Sequence, residues 1–322
     1  MFSLRAPYYQ VSSFTSATGM GNPAGVVLLP PSYPPPSETS VSPCLQRAAQ
    51  EVGLSETAFL SPSVPGTDFS TGHEFTLRWF SPKKEVSLCG HGTLAAAHAL
   101  LAFGNSSTSF TFHTLSGALT VAVNACSLPT DAQQPLVSDT TLAFPSNPPV
   151  ARAVADPVVA AIALALLGPQ HAALVQACAY SAAAKKAILL LPPGSQALLA
   201  ALQPQDPQSL LRIEQPNAAA RIEGVSLACA DTALSCFFTR YWSPWNLGMI
   251  GEDPVNGSSH TLLAPYFASL LHNISEGQEM LSTQLSPRGG QLHVAVLPGA
   301  RVSLRGQATT VCEGALYLHL AQ

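Results

Sequence analysis

The sequence predicts an α+β protein built from two β-rich lobes, each formed around one buried helix. Several segments alternate apolar and polar residues with the period of a half-buried strand. Two other segments pass through a glycine-containing turn into an apolar helix, and they start about 167 positions apart, at Glu85 and Glu252. Because this spacing is about half of the 322-residue chain, it indicates a duplicated unit.

The composition is that of a globular protein. Hydrophobic residues make up 47% of the chain and charged residues 10%, and the formal net charge is −4. Nucleic acid and an anionic membrane normally require a basic surface, so we expect neither as a partner. The expected partner is a small molecule, and we also predict a homodimer.

The cysteines, the first residues and the longest apolar run together indicate the cellular compartment of the protein. The seven cysteines are scattered and have neither CxxC nor zinc-site spacing, so we expect reduced thiols and no metal. The first residues lack the apolar core of a secretory signal, and a cytoplasmic location is predicted. The longest apolar run, Val158 to Leu167, is shorter than the about 20 residues of a membrane span and is predicted to be a buried core helix.

Strand patterns dominate the predicted first lobe, residues 1–135. Residues 45–52 form a short amphipathic pattern that predicts a helix ended by Gly53. The small apolar residues 88–101 predict a buried helix, and the Pro-rich stretch 31–43 predicts an exposed loop. The predicted strands of this lobe cover residues 8–14, 25–29, 74–80, 108–112 and 118–123.

The predicted second lobe, residues 136–322, begins with an Ala- and Leu-rich region. Residues 151–211 carry five charged residues and predict two helices around a strand at 187–191. A strand at 236–241 then leads through a turn into the second buried helix, predicted over 261–271. The final strands are predicted over 291–297, 301–305 and 315–320.

The starts of the two buried helices correspond to each other in sequence. Cys89-Gly90-His91 in the first lobe matches Asn256-Gly257-Ser258 in the second. A helix N-terminus presents unpaired N–H groups and a partial positive charge, so two of them facing one cleft would bind a carboxylate well. We therefore expect a site between the lobes and a small carboxylated substrate.

Five motifs in a fixed order carry a family resemblance. They are Gly21-Asn22-Pro23-Ala24-Gly25, Leu54-Ser55-Glu56-Thr57-Ala58-Phe59, Leu77-Arg78-Trp79-Phe80-Ser81-Pro82 with Glu85-Val86, Cys89-Gly90-His91, and Glu252-Asp253-Pro254-Val255-Asn256-Gly257-Ser258. Together they resemble the phenazine-biosynthesis F-type (PhzF-like) isomerase family over nearly the whole chain. The likeness is greatest to its eukaryotic phenazine biosynthesis-like domain-containing members.

The resemblance implies a diaminopimelate-epimerase-like fold, with two pseudo-symmetric lobes that each wrap a β-barrel-like sheet around a central helix. It also implies an isomerase that moves a proton without a cofactor, as the family's characterised bacterial member does on a dihydro-hydroxyanthranilate. By motif, Glu56 is identified as the general acid/base, with His91 and Asp253 as its polar partners. The positions that would contact substrate are Asn22, Gly90, Gly257 and Ser258.

Three of these side chains carry expectations from their sequence surroundings. Glu56 enters an apolar strand, where loss of water would raise its pKa toward the working pH and suit a general base. His91 lies at a helix start, whose positive end would lower the imidazole pKa and keep the ring neutral. Asp253 could instead be a turn or capping residue, since it directly precedes Pro254.

Several other interpretations compete with the isomerase. Cys89 is predicted to be buried and non-catalytic, because its counterpart Asn256 cannot act as a second base. A cysteine hydrolase using Cys89 and His91 is disfavoured, because residues two apart on a helix do not face each other. Gly19 to Ala24 fits a dinucleotide fingerprint but leads into a strand, so no such cofactor is expected. A silent interaction module of the same fold and a two-base epimerase remain alternatives.

Overall fold

A computed structural model describes the chain except for a set of short segments. These are residues 1, 31–41, 128–134, 204–206, 216, 232, 248–250, 272–273 and 321–322. The predicted Pro-rich loop 31–43 therefore lies almost entirely outside the described residues.

The chain divides into two compact units, Met1–Ala143 with Arg305–Gln322, and Phe144–Leu304. The elements that begin in the first unit are β1 (Phe2–Ser13), β2 (Asn22–Leu28), α1 (Ser42–Val52), β3 (Thr57–Pro62), β4 (Glu74–Phe80), β5 (Glu85–Val86), α2 (Gly90–Ala102), β6 (Ser109–Thr114), β7 (Gly117–Ser127) and β8 (Val137–Pro145). Those that begin in the second are β9 (Val150–Arg152), α3 (Pro157–His171), β10 (Ala177–Ser181), β11 (Lys186–Leu190), α4 (Gln196–Ala201), β12 (Gly224–Asp231), β13 (Cys236–Trp242), α5 (Pro244–Leu247), β14 (Glu252–Asp253), α6 (His260–Leu270), β15 (Met280–Gln284), β16 (Gly290–Leu297) and β17 (Arg301–Leu320).

These units differ from the predicted lobes 1–135 and 136–322 at both ends. Residues 136–143, which include most of β8, group with the first unit. Residues 305–322 also return to the first unit, because β17 pairs antiparallel with β1 along the whole length of β1. The same pairing explains why the two strands predicted at 301–305 and 315–320 are one continuous strand: the residues between them form ladder bonds, as Thr310 does opposite Val11.

The two units repeat one order of strand pairing. In the first, β1–β2 is antiparallel, β2–β3 parallel, β3–β4 and β4–β5 antiparallel, β4–β6 parallel and β6–β7 antiparallel. In the second, β10 to β16 follow the same series of directions, with β13 in the place of β4. Helices α2 and α6 occupy the same position in this order, so the duplication predicted from the glycine turns is present in the fold.

Each repeat contains one buried helix. Every residue of α2 from Gly90 to Leu100 is buried, which suits its small apolar residues and the absence of a polar face. In α6 the residues from His260 to Ala264 are buried, and Phe267 stacks on Phe237 at a centroid distance of 4.2 Å. Both helices were predicted from their apolar sequences, and both form within a residue or two of the predicted bounds.

Helix α3 is less buried than its sequence predicts. Only one face joins the core of the second unit, while Leu164 on another face is 51% exposed. The helical stretch Pro157–Leu174 is long and apolar enough by composition to cross a membrane, with a mean hydropathy of 1.6, and 28% of it is buried. It is not a continuous α-helix, because Gly168 takes φ 71° and Pro169 follows.

Candidate active site

Three buried side chains of the first unit form a chain of contacts at the start of α2. Glu56 Oε2 lies 3.2 Å from Nε2 of His91, and Ser55 Oγ lies 3.3 Å from the same nitrogen. At the other ring nitrogen, Cys89 Sγ lies 3.5 Å from Nδ1 of His91. Glu56, His91 and Cys89 are each less than a tenth exposed. The structure therefore brings together the predicted acid/base and its predicted histidine partner, and adds a thiol.

The contact between Cys89 and His91 corrects the sequence argument against it. That argument placed both residues on a helix, where neighbours two apart diverge. Cys89 is instead the N-cap of α2, with extended backbone angles of φ −143° and ψ 110°, and its sulfur accepts a hydrogen bond from the backbone N–H of Gly92. This conformation turns the thiol back over the first turn, where it meets the imidazole.

The pKa expectations for this pair were wrong in direction. Burial raises the pKa of Glu56, but the hydrogen bond and charge of His91, with a hydrogen bond from Ser55, outweigh it and leave that pKa below its ordinary value. Burial lowers the pKa of His91, but Cys89 and Glu56 together hold it well above the ordinary value. The pair is therefore a carboxylate beside an imidazolium. Burial also raises the pKa of the Cys89 thiol and outweighs the opposing effect of the His91 charge.

The three groups are close enough to suggest a metal site, since their ligand atoms lie within 4.8 Å of one another. The carboxylate lies at Nε2 of the His91 ring and the thiol lies at Nδ1. An imidazole with a partner on each nitrogen can exchange protons with either of them.

The corresponding turn of the second unit is a network of polar groups around Asn256 that includes the carboxylate of Asp253. Its Nδ2 donates to Oδ2 of Asp253 at 2.8 Å, and its Oδ1 accepts from Ser258 Oγ at 3.0 Å and from the N–H of Ser259 at 2.6 Å. Gln284 Oε1 accepts the backbone N–H of Asn256 at 2.6 Å. The side chain of Asn256 thus accepts a hydrogen bond from the backbone N–H of the residue three positions later, as the sulfur of Cys89 does at the start of α2.

An arginine–glutamate pair, partly buried in the first unit and more deeply buried in the second, leads into each turn. Arg78 donates to both carboxylate oxygens of Glu85 at 2.6 and 2.7 Å, four residues before Cys89. Arg240 makes the same two-bond contact with Glu252 and also donates to two backbone carbonyls of α4 and its end. Because two parallel hydrogen bonds fix direction as well as distance, these pairs orient the segments that carry the predicted site residues.

The remaining predicted site residues lie at the start of β2, at the start of α2 and in the turn before α6. Asn22 is the first residue of β2 and is buried, Gly90 begins α2, and Gly257 lies in the turn before α6. Their substrate contacts stay predictions. A cavity of about 1010 Å³ in the second unit lies between α3 and the segment around 209–220, and none of the predicted site residues lines it.

Sequence reasoning missed two polar residues near these turns. Ser55, although within a quoted motif, received no role and proves to contact His91. Lys186 donates a hydrogen bond to Ser258 Oγ and lies 5.5 Å from the centroid of the Tyr241 ring. A signal for Lys186 did exist, since it is one of only five charged residues between positions 151 and 211.

A repeated strand order around two buried helices, with polar groups at both helix starts, defines a diaminopimelate-epimerase-like α+β protein. At the level of fold alone, a hydroxyproline epimerase from Agrobacterium vitis matches with a TM-score of 0.52 at 14% identity, covering 99% of this chain and 93% of that one. The family model described as phenazine biosynthesis-like protein matches residues 11–314. The chain therefore belongs to the PhzC-PhzF family.

Named relatives agree with this membership. The mouse phenazine biosynthesis-like domain-containing protein 1 is 33% identical over 97% of this chain and 99% of its own. An uncharacterized isomerase of Halalkalibacterium halodurans is 32% identical over 98% of this chain and all of its own. The crystal structure of a PhzF family protein from Enterococcus faecalis matches with a TM-score of 0.74 at 27% identity, covering 98% and 100% of the two chains. These likenesses support an isomerase- or epimerase-type function.

Proposed function

We propose that the protein is a cofactor-independent isomerase that moves a proton on a small carboxylated substrate, with Glu56 as the proton carrier. The observation that carries this proposal is the buried pair of Glu56 and His91 at the start of α2. One member is poised to accept a proton and the other to donate one, within 3.2 Å of each other. Such a pair is what proton abstraction and return require.

The proposed reaction begins when a C–H bond of the substrate breaks. Its proton goes to a carboxylate oxygen of Glu56, and the electron pair stays on the substrate. The proton then returns to another carbon or to the other face, so no net oxidation occurs and the carboxylate is regenerated. The His91 imidazolium would stabilise the developing negative charge, because burial strengthens electrostatic interactions. Asp253 remains a predicted polar partner of Glu56, and Asn22, Gly90, Gly257 and Ser258 remain predicted contacts of the substrate.

Deuterium exchange from heavy water into small unsaturated carboxylates tests the role of Glu56. Glu56→Gln keeps the shape of the side chain but cannot carry the proton, so exchange should fall by about 10²–10⁴-fold. Asp253→Asn, measured in parallel, reports whether that carboxylate takes part.

The chain offers a matched control for this experiment. Glu74 and His113 form a second glutamate–histidine pair, with 3.0 Å between the carboxylate and the ring, but both side chains are about half exposed. Glu74→Gln makes the same chemical change away from the buried pair and should leave exchange unchanged. Undiminished exchange in Glu56→Gln would refute Glu56 as the proton carrier.

A further inference from the structure

Lys186 is a half-buried cation whose hydrogen-bond partner is a neutral hydroxyl. It begins β11, and its Nζ donates a hydrogen bond to the hydroxyl of Ser258. The ring of Tyr241 lies 5.5 Å from the same nitrogen, and burial raises the pKa of this phenol, which keeps it neutral. Burial also lowers the pKa of nearby His260 to about 4, so this ring is neutral too.

The residue that directly precedes β11 is a lysine whose charge is paired. Lys185 is 50% exposed and pairs with Glu223 at 3.0 Å. Among the residues that the structure describes, none of the ion pairs includes Lys186. Burial lowers the pKa of Lys186 to about 8, and the charge of the Asp253 carboxylate opposes this effect. The Oδ2 atom of that carboxylate accepts a hydrogen bond from Asn256 Nδ2. Because a charge removed from water is costly unless it is paired, an incoming anion would stabilise this ammonium group.

The geometry leaves donors available and holds them in place. An ammonium group has three N–H donors, and Ser258 uses one of those of Lys186. The Ser258 hydroxyl is itself oriented, because it donates to Asn256 Oδ1 at 3.0 Å. Asn256 is in turn held by Gln284. A rigid set of this kind loses little conformational entropy when it binds a ligand.

We propose that Lys186, together with Ser258, forms an anion site in the second unit that takes the carboxylate of a small organic acid. One cation suits a monoanion, and the nearby negative charge of Asp253 disfavours a doubly charged phosphate. The inference rests on the proposed function only in identifying this anion with the substrate's carboxylate.

Anion titration of three proteins tests the site. Acetate and sulfate are added separately, at constant ionic strength, to the unmodified protein, Lys186→Met and Lys185→Met, and the melting temperature is followed. An anion that binds only the folded state raises this temperature by mass action. Acetate should stabilise the unmodified protein and Lys185→Met equally. It should bind Lys186→Met about tenfold more weakly or worse, a change that corresponds to about 1.4 kcal/mol.

Each other outcome overturns the site or its assignment. Equal acetate stabilisation of Lys186→Met and Lys185→Met, or no stabilisation of the unmodified protein, overturns the site. Stabilisation by sulfate but not acetate overturns the carboxylate assignment in favour of an inorganic oxyanion. If Lys186→Met does not fold, Lys186→Gln, which is uncharged but can still contact Ser258, makes the same comparison with Lys185→Gln.

The result is separable from the test of the proposed function, because no turnover is measured. Acetate binding through Lys186 in a protein that exchanges no protons would leave the site standing and count against the isomerase. Proton exchange that depends on Glu56, without acetate binding at Lys186, would overturn the anion site alone.

Discussion

The two units share a backbone plan, and the strand register aligns their residues one by one. Phe80 on β4 pairs with Thr57 on β3, and Trp242 on β13 pairs with Val225 on β12. This alignment makes Gly224 the counterpart of Glu56. The parallel pairing of the preceding strands extends the match, so that Lys186 is the counterpart of Ala24.

Near the matched helix starts the two units carry opposite charges, on strands that are not counterparts of each other. In the first, the carboxylate of Glu56, just before β3, reaches His91. In the second, the ammonium of Lys186, at the start of β11, reaches Ser258, the counterpart of His91. The glutamate has no equivalent there, since a Cβ on Gly224 would lie 2.1 Å from the hydroxyl oxygen of Tyr241. Duplication thus preserved the strands, while the side chains at the helix starts diverged in charge.

Breaking the arginine–glutamate pairs should show that this divergence extends to stability. Arg240→Ala should lower the free energy of unfolding by about 3–5 kcal/mol, because it leaves buried Glu252 without its partner. Arg78→Ala should cost less, since Arg78 and Glu85 are 11% and 24% exposed against 3% and 10% for the second pair. Urea unfolding measures both, and equal losses would contradict the difference.

A methyl group on Gly224 should disturb the second unit by crowding Tyr241. Gly224→Ala is expected to cost about 1–3 kcal/mol, the usual range for overpacking. Gly314→Ala is the control, because a Cβ there meets nothing within 4 Å. Melting temperatures of the two variants provide the measurement. If Gly224→Ala left the melting temperature unchanged, glycine would not be required at the position where the first unit has Glu56.

The smallest expected effect is the pH dependence contributed by Glu56 and His91. A lowered Glu56 pKa stabilises the folded state above the ordinary value of 4.5, and this contribution is lost as pH falls. A raised His91 pKa stabilises it below the ordinary value of 6.5, and this contribution is lost as pH rises through the folded-state pKa. The two contributions overlap between these ordinary values.

The stability difference between the unmodified protein and Glu56→Gln should therefore be largest at about pH 5–6. It should decrease toward acid and toward alkali, and unfolding by urea across this pH range measures it. The effect is small because burial of the two charges offsets much of their attraction. A difference that grew steadily above pH 7 would mean that His91 is neutral in the folded protein.

Local patterns in the sequence predicted much of the first repeat and part of the second, in which β10, β12 and β15 received no prediction. Strand alternation, glycine turns and small apolar runs depend on neighbours in the chain, so they predicted β4 and the two buried helices closely. The long strand β17 was missed in its middle because its pairing with β1 joins residues some 300 positions apart. The extent of the first unit differs from the predicted lobe at the C-terminal end for the same reason, because β17 pairs with β1.

What the sequence determined by itself was the duplicated α+β plan, the family, and the nearness of Glu56 to His91. Only the tertiary structure decided the protonation of that pair, the contact of Cys89 with the imidazole, and the position of Lys186. Protonation depends on how burial balances against the charges of spatial neighbours. Lys186 and Ser258 are 72 positions apart, so no local pattern could have paired them.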